Sequence, residues 1–151
     1  MIKKVDDTNK TIIKLLKDGR RAYSSIAAEL GITENTVRSR VNKLIDDGIL
    51  DIAGLVDIKC VPGLQMVIMG VKLMTLNLEQ KAQEFVKLRG VVNAMIVTGR
   101  YDLMIQLEIC EDDGLSLLDF FKYELTKVAE ISEVETFVVY QSVNLKVPYL
   151  L

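Results

Sequence analysis

The run Ile26-Ala27-Ala28-Glu29-Leu30-Gly31-Ile32-Thr33-Glu34-Asn35-Thr36-Val37-Arg38-Ser39-Arg40-Val41 sets the architecture of this 151-residue chain. Ala27, Gly31 and Val37 lie four and then six residues apart. A helix-turn-helix needs a small residue where two helices cross, a glycine at the sharp turn, and an apolar plug that docks the second helix on the first. The pattern predicts a helix from Ser24 or Ser25, with Ile26, Ala27 and Leu30 inward, stopping at Gly31. The next helix opens at Thr33 as N-cap and puts Val37, Val41, Leu44 and Ile45 on one stripe before Gly48. Held this way, it is a rod that fits a DNA major groove. Its outward positions are Glu34, Asn35, Thr36, Arg38, Ser39, Arg40 and Lys43, rich in cations and hydrogen-bonding groups. Three-helix units with the same step also occur in proteins that never meet DNA, and a polar face is by default only solvated.

Upstream, Asp6-Asp7 opens a helix with Ile12, Leu15 and Leu16 on one face, closed by Gly19. Arg20 and Arg21 follow in the turn, placed to reach phosphate from the flank. Downstream, Ile49 to Gly54 alternates apolar and polar residues like a short strand or wing. Pro62-Gly63 then breaks regular structure. Residues 1–60 carry 11 basic and 9 acidic side chains, and residues 61–151 carry 8 and 12. The balance therefore changes from +2 to −4, and two domains are expected, 1–60 and 61–151.

The second domain reads β-α-β-β-α-β. Strands are expected at Met66–Leu76, Val91–Thr98, Tyr101–Cys110 and Val134–Val143. Helices are expected at Glu79–Leu88, with Ala82, Phe85 and Val86 inward, and at Gly114–Ala129, with Leu117, Leu118, Phe121, Leu125 and Val128 inward. The middle strands form a hairpin around Gly99-Arg100. The class is α+β: a winged-helix-like helix-turn-helix followed by a ferredoxin-like domain, whose two helices share one face of an antiparallel sheet. Depending on register, the other face offers Met66, Ile68 and Met74, or Val91, Met95 and Val97, or Phe137 and Val139. Two helices on one side leave such a face uncovered, which predicts burial against a second copy of the chain. Cover by the N-terminal domain is the alternative.

Composition narrows the chemistry. The net charge, 19 − 21 = −2, excludes a generally basic coat. No apolar run approaches the ~18 residues a membrane-spanning helix needs, and Met1 to Asp7 has no apolar block of a secretory signal. A cytoplasmic protein without cofactor is expected. Cys60 and Cys110 make no metal or disulfide framework by spacing, and there is no histidine.

The assembled pattern resembles the Lrp/AsnC, or feast/famine, transcriptional regulators from about Asp7 to Lys146. The resemblance rests on Asp7-x4-Ile12-x2-Leu15-Leu16-Lys17-Asp18-Gly19-Arg20, on Ile26 to Thr33, on Thr36 to Val41 with Leu44, and on Gly48-Ile49-Leu50. In the second half it rests on Val97-Thr98-Gly99-Arg100-Tyr101-Asp102-Leu103 and on Val134-x-Thr136-x2-Val139. The chain departs from the family at Ile52-Ala53, which stand where a glycine-aromatic pair is common in the wing-like strand.

The resemblance implies a regulator that binds double-stranded DNA, dimerises, and often assembles to octamers. It also implies an amino acid or related small metabolite bound between dimers. Carried onto matching positions, the effector site is Gly99, Arg100, Tyr101 and Asp102, with Phe137 and Val138 from the last strand. Read without the resemblance, Gly99-Arg100 is a tight hairpin with Asp102 as its capping side chain.

For DNA, Arg20, Arg21 and Lys43 are expected on phosphates, with Thr33 and Ser39 as further hydrogen-bonding contacts. Asn35, Thr36, Arg38 and Arg40 are the expected base readers. Paired reading helices in successive major grooves, about 34 Å apart, imply an imperfectly palindromic site. Haem-precursor decarboxylases resemble this family in fold, so an enzyme is one rival; the absence of histidine and of a cysteine pair argues against it. A DNA-organising protein of low specificity is the other, opposed by the acidic net charge.

Overall fold

The computed structural model describes residues 5–17 and 19–148. Met1 to Lys4, read above for a leader, and Asp18 of the opening motif lie outside the described residues. The chain divides into two compact units, Met1–Ala53 and Gly54–Leu151.

The first unit holds three helices: α1 (Asp7–Leu15), α2 (Tyr23–Leu30) and α3 (Glu34–Asp46). The Asp6 carboxylate caps α1 by accepting from the Asn9 amide at 2.7 Å. Ile12, Leu16, Ile26, Ala27, Val37 and Val41 form the core, with Leu50 packed against it. Two expectations fail here. Ile45 is 41% exposed, so the inward stripe of α3 is Val37, Val41 and Leu44 alone. The wing is absent as a strand, because the amides of Ile49 and Leu50 both turn back to the Leu44 carbonyl. That turn satisfies the end of α3 and leaves no ladder to build.

The second unit runs β1 (Leu55–Asp57), a 3-10 turn (Ile58–Cys60), β2 (Leu64–Leu73), α4 (Leu78–Phe85), β3 (Val91–Ile96) and β4 (Leu103–Cys110). It continues with α5 (Leu117–Asp119), a π turn (Phe120–Glu124), a 3-10 turn (Leu125–Lys127), β5 (Ile131–Val138) and β6 (Lys146–Pro148). The main sheet is antiparallel in the order β3-β4-β2-β5, the ferredoxin-like arrangement. β1 pairs with β6 in a separate two-stranded sheet. That pairing is why the boundary falls at Ala53 rather than after Cys60: the segment before Pro62 is bound to the far end of the second unit.

Val67, Met69, Val71, Leu103, Ile105 and Leu107 face the helices together with Phe85 and Phe120. The last helical segment differs from its expected register. Phe120 is fully buried and Leu118 is 61% exposed. The inward stripe starts Leu117, Phe120, Phe121, and Leu118 is turned about 100° away from it. The five-residue π turn then replaces the continuous helix expected from Gly114. At the C-terminal cap of α4, Val86 is likewise exposed, and within the helix Lys81 is buried between Glu84 (2.9 Å) and Glu130 (3.2 Å).

Register settles the opposite face. Ile68 pairs with Gln106 and Phe137, Gly70 with Met104 and Glu135, and Met95 with Met104. One end of this face is covered from within the unit: Ile58, Val147, Val56 and Val61 pack on Leu64, Met66 and Cys110. The remaining apolar patch, with Ile68, Met104, Phe137 and Met95, is therefore smaller than the sequence suggests. Met74 and Val91 do not belong to it; Met74 lies in the loop after β2, and Val91 is in the helix-side core.

Candidate nucleic-acid interface

The bend between α2 and α3 is built from its residues as the spacing requires. Gly31 ends α2 in the left-handed region (φ 65°), and the Ile32 amide reaches back to the Ala27 carbonyl at 3.1 Å. Thr33 then caps α3: its Oγ1 accepts from the Thr36 amide at 3.2 Å and bonds the Thr36 hydroxyl at 2.9 Å. Val37 and Val41, both fully buried, hold α3 down, and its polar side is left outward.

The outward side chains sort into two groups. The first is committed within the chain. Arg38 donates to Glu34 at 2.7 Å, and its guanidinium carbon lies 5.4 Å from the centre of the Tyr23 ring. Arg40 donates from one nitrogen to the Asp6 carboxylate (2.8 Å) and to Asn9 Oδ1 (3.0 Å), tying α3 to the start of α1. Asp6 is held below its ordinary acidity range, chiefly by the Asn9 amide and then by Arg40. Arg21 is ion-paired with Glu29, while Arg20 is exposed in the same turn. Arg40, expected as a base reader, thus serves first as a tie between helices; its partners lie 31 and 34 residues away, a spacing that leaves no trace in local periodicity.

The second group has no hydrogen-bond or ionic partner among the described residues: Asn35, Ser39, Asn42, Lys43 and Asp46. With Arg38 they line one shallow concavity along α3. Asn42 is not among the residues that the sequence singles out, although its seven-residue step from Asn35 is a signal that could have found it. A larger groove of about 740 Å³ adjoins it, lined by Asp6 and Asn9 at the start of α1 and by Thr36, Arg40, Lys43 and Asp47 along α3 and its C-terminal cap, and shares Asn35, Ser39 and Lys43 with the concavity.

In the second unit the expected effector residues are largely occupied by their own chain. Gly99 takes φ 126° at an exposed turn, where an added Cβ would meet nothing within 4 Å. Arg100 bonds Glu133 at 3.0 Å, approaches Glu135 at 3.6 Å and lies over the Tyr101 ring. Its pKa is raised, with Glu133 the main cause. Asp102 accepts from the Leu73 amide (2.8 Å) and from Lys72 Nζ (3.0 Å), which lower its pKa in that order. It fills the position where β2 and β5 slip register between Lys72 and Leu73. Tyr101 lies flat on Gly70: a Cβ there would sit 2.6 Å from the ring. Phe137 shares this open face. Val138 does not, because alternation along β5 places it opposite Val67 on the helix side. No three histidine, cysteine or carboxylate side chains converge as a metal site among the described residues. No helix among them is long and apolar enough to cross a membrane.

Residues 5–45 match the family model of the AsnC-type helix-turn-helix domain. Over 135 residues the chain is 30% identical to the HTH-type transcriptional regulator PH0140 of Pyrococcus horikoshii, covering 87% of this chain and 84% of that protein. It is 33% identical to the HTH-type transcriptional regulator LrpA of Pyrococcus abyssi over 135 residues, or 86% and 92% of the two chains. Among solved structures, it superposes on a feast or famine regulatory protein of M. tuberculosis (Rv3291c) complexed with L-methionine. The TM-score is 0.68 at 16% identity, over 92% of this chain and 94% of that one.

Proposed function

The chain belongs to the Lrp/AsnC family of helix-turn-helix transcriptional regulators, and from that premise we propose that a symmetric dimer lays two copies of α3 into successive major grooves of a specific site. The observation that carries this reading is the outward stripe of uncommitted polar groups on a helix whose other side is anchored by Val37 and Val41. Lys43 and Arg20 supply phosphate contacts; Asn35, Ser39 and the exposed part of Arg38 face the bases, with Thr33 and Thr36 at the leading end. A salt titration against a selected duplex and a random one tests it. A specific regulator holds the selected duplex more tightly at every salt concentration, whereas equal affinity for both refutes sequence reading.

The open patch of Ile68, Met104, Phe137 and Met95 supports pairing through the sheet. Light scattering that gives the mass of one chain at micromolar concentration removes that part of the reading. The exposed Gly99 turn, with Arg100, Tyr101 and Asp102 behind it, supports an amino-acid effector at a contact between dimers, as does the L-methionine bound to the M. tuberculosis protein. Thermal-shift measurements with the twenty amino acids test this, since a ligand that prefers the folded assembly raises its Tm. An unchanged Tm with all of them counts against the effector.

A further inference from the structure

We infer that Asn42, two turns after Asn35 on α3, is a base-reading residue and that the pair selects adenines about three base pairs apart. The inference rests on the DNA-reading role proposed for α3. Part of the polar side of α3 is already engaged within the chain. Arg38 and Arg40 have partners inside the chain, and Thr36 is bonded to Thr33. Asn35 and Asn42 keep every donor and acceptor of their amides, and both are exposed along the same concavity.

Seven residues turn a helix through about 700°, so the two amides point within about 20° of one another, roughly 10.5 Å apart along the axis. Successive bases on a strand are about 3.4 Å apart. A carboxamide presents an acceptor beside a donor. In the major groove only adenine offers the complementary pair, its N6 amino group beside N7. Ser39 lies between the amides and makes no such choice, since a hydroxyl accepts from or donates to any base. Lys43, adjacent to Asn42, supplies charge for the phosphate backbone. Asp46, at the far end of the same stripe, repels phosphate and marks where the helix leaves the groove.

The test uses the full chain and a pool of randomised duplexes. Wild type is expected to enrich half-sites with adenine at two positions about three apart. Asn42→Ala should lose the preference at one position and keep the other, and Asn35→Ala should do the reverse. Asn42→Asp keeps the shape but turns the donor into an acceptor, and should move its position from adenine towards cytosine, whose N4 group donates. Replacing the matched adenine by 7-deazaadenine, which lacks the N7 acceptor, should weaken wild type about 10-fold and Asn42→Ala hardly at all. Unchanged adenine preference in both Asn42 variants, or a uniform loss of affinity for all duplexes, overturns the inference. Enrichment of no sequence by wild type instead refutes the regulator reading beneath it. Exposed helical asparagine tolerates alanine, and circular dichroism confirms that each variant is folded.

Discussion

Gly70→Ala tests whether the Tyr101 ring is truly seated on the sheet. An added Cβ would lie 2.6–2.8 Å from three ring carbons, against an ordinary contact of at least 3.4 Å. The ring must therefore retreat by about 0.8 Å. It cannot do so freely, because its neighbours are pinned: Arg100 to Glu133, and Asp102 to the Leu73 amide and Lys72. Overpacking of this kind costs about 1–3 kcal/mol. At about 2 kcal/mol, and with the second unit near 100 residues, its Tm should fall by roughly 10 °C. The sign should reverse when the ring is gone. In a Tyr101→Ala background, the same Gly70→Ala change removes a flexible residue from a strand and should stabilise by about 0.5–1 kcal/mol. Thermal unfolding of the four proteins gives the coupling, expected at about 2.5–3 kcal/mol. Equal effects of Gly70→Ala in both backgrounds would show that ring and glycine do not meet.

Other outcomes follow from the same geometry. Phe120→Ala should cost about 3–5 kcal/mol and Leu118→Ala less than about 0.5 kcal/mol, as measured by urea unfolding; the reverse order would restore the uninterrupted helical register. Lys43→Ala should weaken specific and random duplexes alike and lower the slope of log affinity against log salt by about one, whereas an unchanged slope removes Lys43 from the phosphate. Asp102 has a folded pKa below its ordinary 3.8, so its contribution is fully present above that value and is lost as pH falls through the lowered one. Wild type should therefore exceed Asp102→Asn in stability at neutral pH, with the gap closing only in acid below 3.8; a gap that closes nearer neutrality would refute the assigned contacts.

Local patterns carry the parts of the fold that local chemistry makes. The Gly31 bend and the Thr33 cap involve neighbours a few residues apart, and the strict alternation of Leu103, Ile105 and Leu107 announces which side of β4 faces the helices. What stays hidden is non-local. Nothing near Arg40 indicates Asp6, and nothing near Arg100 indicates Glu133, because each pair is created by packing of distant segments. The π turn escapes for another reason: an apolar run rich in Leu and Phe satisfies several helical phases, and only packing selects Phe120 over Leu118. Leu55–Asp57 is a strand only because Lys146–Pro148 comes back to meet it. For the interface, residue types are legible, but which of them remain uncommitted is not.

In the dimer proposed above, the β1–β6 clasp bears on avidity, because it fixes the length of the connector between each reading head and its sheet unit. With the clasp closed, the stretch without regular structure between α3's closing turn and the sheet unit is residues 50–54. Deleting Lys146–Pro148 would leave Leu55–Asp57 without its ladder, and the leash would extend to residue 63 at most. A tether lengthened from about 5 to about 14 residues dilutes the second reading head roughly five-fold, since effective concentration falls with about the 3/2 power of length. Lys146–Pro148 thereby govern how firmly the two heads of that proposed dimer act together.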